Sequence, residues 1–135
     1  MITAVDTSVL LDVFGADAAH GPASRDALRR CVREGSLIAC DVVWAEVAAA
    51  FPEPAAAADA MARLGVAFSP TTAPAAAAAG TAWRRYRQHG GTRERLIADF
   101  VIAAHARTQA DRLLTRDRGF YRSAFTDLSI IDPSA

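Results

Sequence analysis

The chain contains no lysine, and its 15 basic residues are all arginines. This absence excludes the phosphate-binding P-loop, because that motif ends in a lysine that reaches the nucleotide phosphates. It equally excludes every mechanism in which a lysine acts as nucleophile or base. A catalytic site in this protein has to be built from other side chains.

Cysteine is scarce as well, since Cys31 and Cys40 are the only two. Two cysteines do not form a disulfide framework, and we interpret both as small apolar residues. The three histidines are scattered and lack metal-ligand spacing, so the sequence offers no tetrahedral zinc set. No apolar run approaches the ~18 residues of a membrane span, and Asp6 interrupts the first apolar stretch before it could resemble a signal peptide. We therefore expect a cytoplasmic protein.

The length of 135 residues is that of an ordinary domain, and we expect a single domain over residues 1–135. The net charge is zero, so no global basic field indicates a nucleic-acid partner. The arginines are unevenly spread, however, and ten of them fall between Arg84 and Arg122 beside only four acidic residues. Two interpretations of this tract remain open: solvated helix faces, or a surface that contacts phosphates.

Short apolar runs alternate with helical patterns along the whole chain. This alternation is typical of an α/β fold with a mainly parallel central sheet and helices on both faces. Thr7 or Ser8 is predicted to cap the first helix, and Asp41 the third. The predicted strands cover residues 2–6, 37–40, 66–68, 112–115 and 128–132. The predicted helices cover residues 7–15, 21–35, 41–50, 54–65, 71–89 and 93–110.

Four acidic residues lie beside apolar runs that should be buried. Asp6 ends the first predicted strand, Asp117 follows the fourth, and Asp99 precedes a buried helical stretch. Glu46 is predicted on the apolar face of the third helix. Ligands of a parallel sheet bind beyond the carboxyl ends of its strands, where carboxylates brought together would repel one another. A divalent cation that prefers oxygen ligands would relieve that repulsion. The pattern therefore favours a metal-dependent hydrolase.

Each of these acids also has a purely structural interpretation. Asp6 and Asp99 are placed to cap helices. Glu46 could pair with a nearby arginine, and Asp117 could belong to a turn. The other acids fit polar faces or loops, and Asp12 in particular is expected on the exposed part of the first helix. The signal is weak for each acid alone and stronger for the four together.

A specific resemblance is carried by four segments of the chain. In chain order they are ITAVDTSVLLDVF, AEV, GGTRERLIADFVIAAHA and LLTRDRGFYRSAF. In this order and spacing they resemble a PIN domain, and most of all the virulence-associated protein C (VapC) toxins of type II toxin–antitoxin pairs. The resemblance spans essentially the whole chain. It places the family's metal-coordinating acids at Asp6, Glu46, Asp99 and Asp117. It also implies supporting hydroxyl residues at Ser8 and Thr115, which are expected to orient carboxylates or metal-bound water.

The function that this resemblance implies is a magnesium- or manganese-dependent endoribonuclease, acting as the toxin of a toxin–antitoxin pair. The implied partners are an RNA substrate, a cognate antitoxin and a second copy of the chain, with no membrane. Arginines are expected to hold the RNA backbone. The candidates are Arg84, Arg85, Arg87, Arg116 and Arg118.

Two competing interpretations come from other classes of protein. Receiver domains and haloacid-dehalogenase phosphatases also carry strand-end aspartates, but both use a catalytic lysine that this chain lacks. A non-catalytic RNA-binding or adaptor PIN module remains as the alternative. The intact set of four acids argues against it.

Overall fold

A five-stranded sheet forms the centre of the computed structural model, which describes residues 1–92 and 95–134. Its strands are β1 (Ile2–Val5), β2 (Ser36–Ala39), β3 (Val66–Phe68), β4 (Arg112–Leu114) and β5 (Ile130–Ile131). The sheet order is β3-β2-β1-β4-β5, and each neighbouring pair is parallel. The predicted fold class is thereby confirmed.

Seven helices surround this sheet in the described part of the chain. They are α1 (Thr7–Phe14), α2 (Gly21–Glu34), α3 (Asp41–Ala49), α4 (Pro54–Leu64), α5 (Ala73–Gln88), α6 (Ile97–Gln109) and α7 (Arg118–Ala124). Six were predicted, and α7 was not, because its seven residues are too few for a helical period to stand out. The predicted helix over 93–110 begins at Ile97 in the structure, and its first two positions, 93 and 94, lie outside the described residues.

Several helix ends follow directly from local residue chemistry. Pro54 opens α4, and Gly65 ends it in the left-handed conformation at φ 76°. Thr7 and Ser8 do not cap α1, and the structural alternative given for Asp6 is confirmed, because Asp6 caps this helix. The predicted cap of α3 was wrong, since Cys40 holds that position. The Asp41 carboxylate instead accepts hydrogen bonds from the backbone N–H and hydroxyl of Thr71 at 3.1 and 2.6 Å.

The core is aliphatic and aromatic, with a few polar groups that are paired. Leu10, Phe100 and Leu113 are fully buried among the helices and the sheet. His105 is buried too, and its Nε2 lies 2.9 Å from the Ser69 hydroxyl. No helix in residues 1–92 and 95–134 is long and apolar enough to cross a membrane.

The direction of chain winding reverses at β1. From β1 the chain proceeds outward through β2 and β3, then returns to place β4 on the other side of β1. The connections that leave β1 and β4 therefore diverge, and the carboxyl ends of these two strands border a crevice. Asp6 directly follows β1, and Thr115 directly follows β4, so the fold brings both to this crevice.

Candidate active site

Asp6 occupies the centre of this crevice. Its carboxylate accepts a hydrogen bond from the Thr7 backbone N–H at 2.8 Å and another from the Thr115 hydroxyl at 2.7 Å. The residue is 7% exposed. The pKa of Asp6 is raised to about 6, chiefly by burial and in smaller part by the charges of Asp99 and Glu46, while these two hydrogen bonds lower it. The fold thus holds a carboxylate where its negative charge is unfavourable.

Thr115 connects two of the predicted site residues. While its hydroxyl donates to Asp6, the same oxygen accepts the Asp117 backbone N–H at 3.0 Å. Thr115 is fully buried, so water does not compete for these bonds. The orienting contact expected of Thr115 is present, and its part in catalysis stays a prediction.

Asp99 lies at the start of α6, where its carboxylate accepts the Leu96 backbone N–H at 3.2 Å. The predicted capping role is therefore real, yet it does not remove Asp99 from the site. Burial raises the pKa of Asp99, and the negative charge of Asp117 adds to this effect. The Leu96 N–H and the charge of Arg95 act in the opposite direction and lower it. The Asp99 carboxylate thus caps the start of α6 and is also influenced by the charge of Asp117.

Asp117 has a partner that the sequence did not reveal. The Arg95 guanidinium binds it with both nitrogens of its fork, through Nη1 to Oδ2 and through Nη2 to Oδ1 at 3.1 Å. The same guanidinium lies over the Phe120 ring, 4.2 Å from its centroid. The arginine stands four positions before Asp99 in a segment already singled out, but nothing local shows that this segment reaches across to Asp117.

Glu46 does not lie on the buried face of α3, as had been predicted. Val43 and Val47 are buried, whereas Glu46 is exposed. Its Oε1 accepts a hydrogen bond from the Thr7 hydroxyl at 2.7 Å, which places the side chain at the rim of the crevice beside Asp6. The predicted proximity to Asp6 is found at the rim, and the predicted burial was wrong.

Ser8 shows no contact with a carboxylate. Its hydroxyl oxygen is buried and has no hydrogen-bond partner among residues 1–92 and 95–134. A buried hydroxyl without a partner costs free energy. A bound ligand or water that hydrogen-bonded to the Ser8 hydroxyl would remove this cost. The role expected for Ser8, which was to orient carboxylates or bound water, stays a prediction.

The four acids suit a hard divalent cation by donor chemistry. All four offer carboxylate oxygen, and neither sulfur nor imidazole stands among them. No three of them bring ligand atoms within 4.8 Å of one another; in the described part of the chain only Asp12, Asp17 and His20 do so. The site therefore fits the cation by chemistry and has to contract to hold it.

Asp12 was missed as an important residue, because it was expected on the exposed part of α1. It is 5% exposed. Its carboxylate accepts two hydrogen bonds from Arg116, at 2.7 and 3.0 Å, and one from the Ser24 hydroxyl at 2.7 Å. A bidentate pair with a satisfied third partner is a structural arrangement. It leaves Asp12 no free place in a metal site.

The arginines expected to touch RNA occupy different environments. Arg84, Arg85 and Arg87 are exposed near the C-terminal end of α5. Arg85 and His89 line an open cleft of about 470 Å³ together with Tyr86 and Phe120. Arg118 lies 3.7 Å from Asp132 and is half exposed. Arg116 is bound to Asp12, and its side chain is 32% exposed.

Comparison with known proteins places this geometry in a family. A family model described as the PIN domain matches residues 3–126. A search of curated protein sequences finds no match. Among solved structures, the chain resembles VapBC2 from Rickettsia felis bound to a DNA fragment from its promoter, with TM-score 0.75 and 17% identity over 98% of both chains.

Two further structures are similar over nearly their whole length. VapBC-1 from nontypeable Haemophilus influenzae matches with TM-score 0.75 and 18% identity, over 100% of both chains. VapC20 from Mycobacterium tuberculosis, described as a sarcin-ricin loop cleaving toxin, matches with TM-score 0.58 and 22% identity, over 91% of this chain and 95% of that one. Identities this low show a shared fold.

Proposed function

The chain belongs to the PIN domain family, and from this premise we propose that it is a metal-dependent endoribonuclease acting as the toxin of a toxin–antitoxin pair. One observation carries the proposal. Asp6 is held buried at the switch point of a parallel sheet by Thr7 and Thr115, with Asp99 and Glu46 acting on its charge. A carboxylate whose pKa is raised by burial at such a crevice is characteristic of a functional site.

The cation would be held by Asp6, Glu46, Asp99 and Asp117. When bound, Mg²⁺ or Mn²⁺ supplies Lewis-acid polarisation of a phosphoryl oxygen and a more acidic water. Of the four acids, Glu46 is the exposed one, and within residues 1–92 and 95–134 its side chain is hydrogen-bonded through Oε1 alone, to Thr7. Its other oxygen could accept a proton from an attacking water.

Hydrogen bonds to neighbouring residues orient the other acids of the site. Thr115 links the Asp6 carboxylate to the Asp117 backbone, and so joins the residues that follow β1 and β4. Asp99 is fixed by the start of α6. These bonds restrain Asp6 and Asp99, so the contraction needed to hold a cation falls mainly to Glu46 and Asp117, whose side chains are more exposed.

RNA would approach along the exposed arginines of α5 and α7. Arg84, Arg85, Arg87 and Arg118 keep their charge at the surface, where phosphate contacts set affinity without selecting sequence. Arg116, the fifth candidate, is paired with the buried Asp12, and its contact with RNA stays a prediction.

The expected partner is an antitoxin, and α2 and α4 offer it a groove. Aliphatic side chains form its floor, including Leu28, Leu64 and the half-exposed Val32. The other wall residues are Val13, Arg25, Arg29, Arg33 and Arg63. Four arginines around an apolar floor complement an acidic amphipathic segment. The homodimer implied by the resemblance remains part of the proposal.

Divalent cations are expected to be required for RNA cleavage. Pure protein incubated with total RNA should cleave it in Mn²⁺ or Mg²⁺, and EDTA should lower the rate by at least about a hundredfold. Manganese should also raise the melting temperature, because a cation that binds only the folded state at 100 times its dissociation constant stabilises by about 2.7 kcal/mol.

The control for this experiment is the Asp6→Ala protein, which should neither cleave RNA nor gain as much stability from manganese. Cleavage that persists in EDTA and in Asp6→Ala contradicts the metal mechanism. Binding of RNA in EDTA, together with no cleavage in manganese, identifies the chain as an adaptor module instead.

Expression of this chain alone is expected to slow bacterial growth, and co-expression of the small gene beside it should restore growth. A ribonuclease released from its inhibitor degrades RNA that the cell needs, whereas the Asp6→Ala protein should leave growth unaffected. Growth curves after induction, with immunoblots to verify equal protein levels, provide the measurement. Normal growth with abundant folded wild-type protein contradicts the toxin role and leaves the nuclease chemistry standing.

A further inference from the structure

Arg95 is the feature of the site that the carboxylate mechanism leaves unused. We propose that Arg95 is a positioning residue that exchanges partners: it binds Asp117 while the carboxylates are metal-free, and it binds a phosphate oxygen of the RNA once they are occupied. The inference rests on the proposed function. It adds the group that recognises the scissile phosphodiester.

The choice of partner distinguishes Arg95 from the other arginines. Among residues 1–92 and 95–134, arginines form ion pairs with Asp12, Glu34, Asp117, Asp127 and Asp132. Only the pair formed by Arg95 involves one of the four site acids. Arg116 supports the fold through a carboxylate that is 5% exposed, whereas Arg95 and Asp117 have side chains 30% and 39% exposed. The Arg95–Asp117 pair is thus open to a competing ligand.

A second contact holds Arg95 at the site independently of Asp117. Its guanidinium lies 4.2 Å from the centroid of the Phe120 ring. Phe120 is itself fixed by the neighbouring Phe100 and Tyr121 rings, with centroids 5.4 and 5.1 Å away. Cation–π stacking orients the plane of a guanidinium but leaves its N–H edge free. The fork can therefore be released by Asp117 and still remain at the mouth of the crevice.

Charge supplies the reason for the exchange. The guanidinium neutralises part of the negative charge of Asp117 and Asp99. A divalent cation brought to the same carboxylates supplies twice that charge and repels the arginine. The displaced Arg95 guanidinium can then bind two oxygens of a phosphate with the same bidentate geometry that it uses with the Asp117 carboxylate.

The proposal predicts effects of opposite sign in one variant. Arg95→Gln removes the competing charge, so Mn²⁺ should bind about tenfold more tightly. The same change removes a phosphate contact, so KM for RNA should rise by about tenfold at saturating Mn²⁺. Arg95→Lys keeps the charge and loses the fork. Its Mn²⁺ affinity should stay within about twofold of wild type, with an intermediate KM.

Manganese affinity is measured without activity, by the electron paramagnetic resonance signal of free Mn²⁺ during titration of each protein. Cleavage kinetics then use a labelled single-stranded RNA and yield KM and kcat separately. Arg30→Gln is the matched control, because Arg30 forms an exposed ion pair at 2.6 Å with Glu34, which is not one of the four site acids. It should change neither quantity. Thermal melts establish that every variant is folded.

The outcomes separate this inference from the proposed function. Tighter Mn²⁺ binding with a raised KM in Arg95→Gln supports the exchange. Unchanged or weaker Mn²⁺ binding in a folded Arg95→Gln protein overturns it, whether or not RNA is cleaved. Tighter Mn²⁺ binding with an unchanged KM also overturns it, since Arg95 would then be a counter-ion alone. If wild type cleaves no RNA, the proposed function fails, and the phosphate contact of Arg95 fails with it.

Discussion

Replacing Asp6 by asparagine is expected to reduce RNA cleavage by about a thousandfold or more while stabilising the metal-free protein at neutral pH. The loss of activity follows from removing the buried charge at the centre of the crevice. The gain in stability follows from the same burial, because an ionised Asp6 is disfavoured in the folded protein. Function and stability are thus opposed at one residue.

The sign of the pH dependence follows from the raised pKa. Asp6 has a folded-state pKa of about 6 against 3.8 for an ordinary aspartate, so the folded protein favours its protonated form. Its contribution to stability is fully present below pH 3.8 and is lost as the pH rises through about 6. A difference of this size corresponds to about 3 kcal/mol at neutral pH. The metal-free wild type should therefore be more stable at pH 5 than at pH 7.5 by part of this amount.

Asparagine recovers most of that free energy but not all of it. Its side-chain oxygen can still accept the Thr7 N–H, whereas its amide nitrogen faces the Thr115 hydroxyl that formerly donated to Asp6. That mismatch costs about 1 kcal/mol. We expect a net gain of about 2 kcal/mol at pH 7.5, which disappears near pH 4.

Urea unfolding of wild type and Asp6→Asn in EDTA, at several pH values between 4 and 8, measures the difference. Asp59→Asn is the control, because Asp59 is exposed on α4 and lies outside the site. It should show normal cleavage and no pH-dependent difference from wild type. A variant Asp6→Asn that cleaves RNA normally, or that is destabilised at pH 7.5, contradicts the role given to Asp6.

Replacing Asp12 by alanine is expected to lower the free energy of unfolding by about 3–5 kcal/mol. The substitution removes the partner of Arg116 and the acceptor of the buried Ser24 hydroxyl, leaving both groups unsatisfied. For a domain of this length the melting temperature should fall by about 10 °C or more. This would be a large effect for a residue outside the proposed site.

A double-mutant cycle tests whether the pair itself is responsible. Arg116→Met should also be costly, because it leaves the buried Asp12 charge without its guanidinium. The double variant Asp12→Ala/Arg116→Met should be less destabilised than the sum of the two single variants. Urea unfolding of the four proteins supplies the coupling energy. Strictly additive losses, or an Asp12→Ala protein as stable as wild type, contradict a structural ion pair.

The local elements of this fold were predictable because the signals that specify them are local. Pro54 and Gly65 mark the ends of α4 in the sequence as they do in the structure. The alternation of strand and helix patterns predicted a mainly parallel sheet, which the observed strand order and pairing confirm. The short helix α7 was not predicted, since seven residues carry no clear period.

Burial and pairing were predicted less well, because they depend on residues far apart in the chain. Asp12 was predicted to be exposed, but in the folded chain its carboxylate is covered by Ser24 from α2 and by Arg116 from the loop after β4. Glu46 looked buried on the helical period of Val43 and Val47, but it lies on the flank of that stripe and turns to Thr7. A small rotation of a helix about its own axis changes which of its side chains are buried, and this rotation is determined by tertiary packing.

The sequence by itself determined the kind of chemistry available here: carboxylates at strand ends, no lysine, no zinc ligands and a PIN-like order of motifs. The tertiary structure alone decided which groups meet. It brought Thr115 to Asp6 across 109 positions, Arg95 to Asp117 across 22, and Arg116 to Asp12 across 104. The physical reason is that residue type fixes what a side chain can bind, whereas its charge state and partner depend on the burial and distances created when the chain folds.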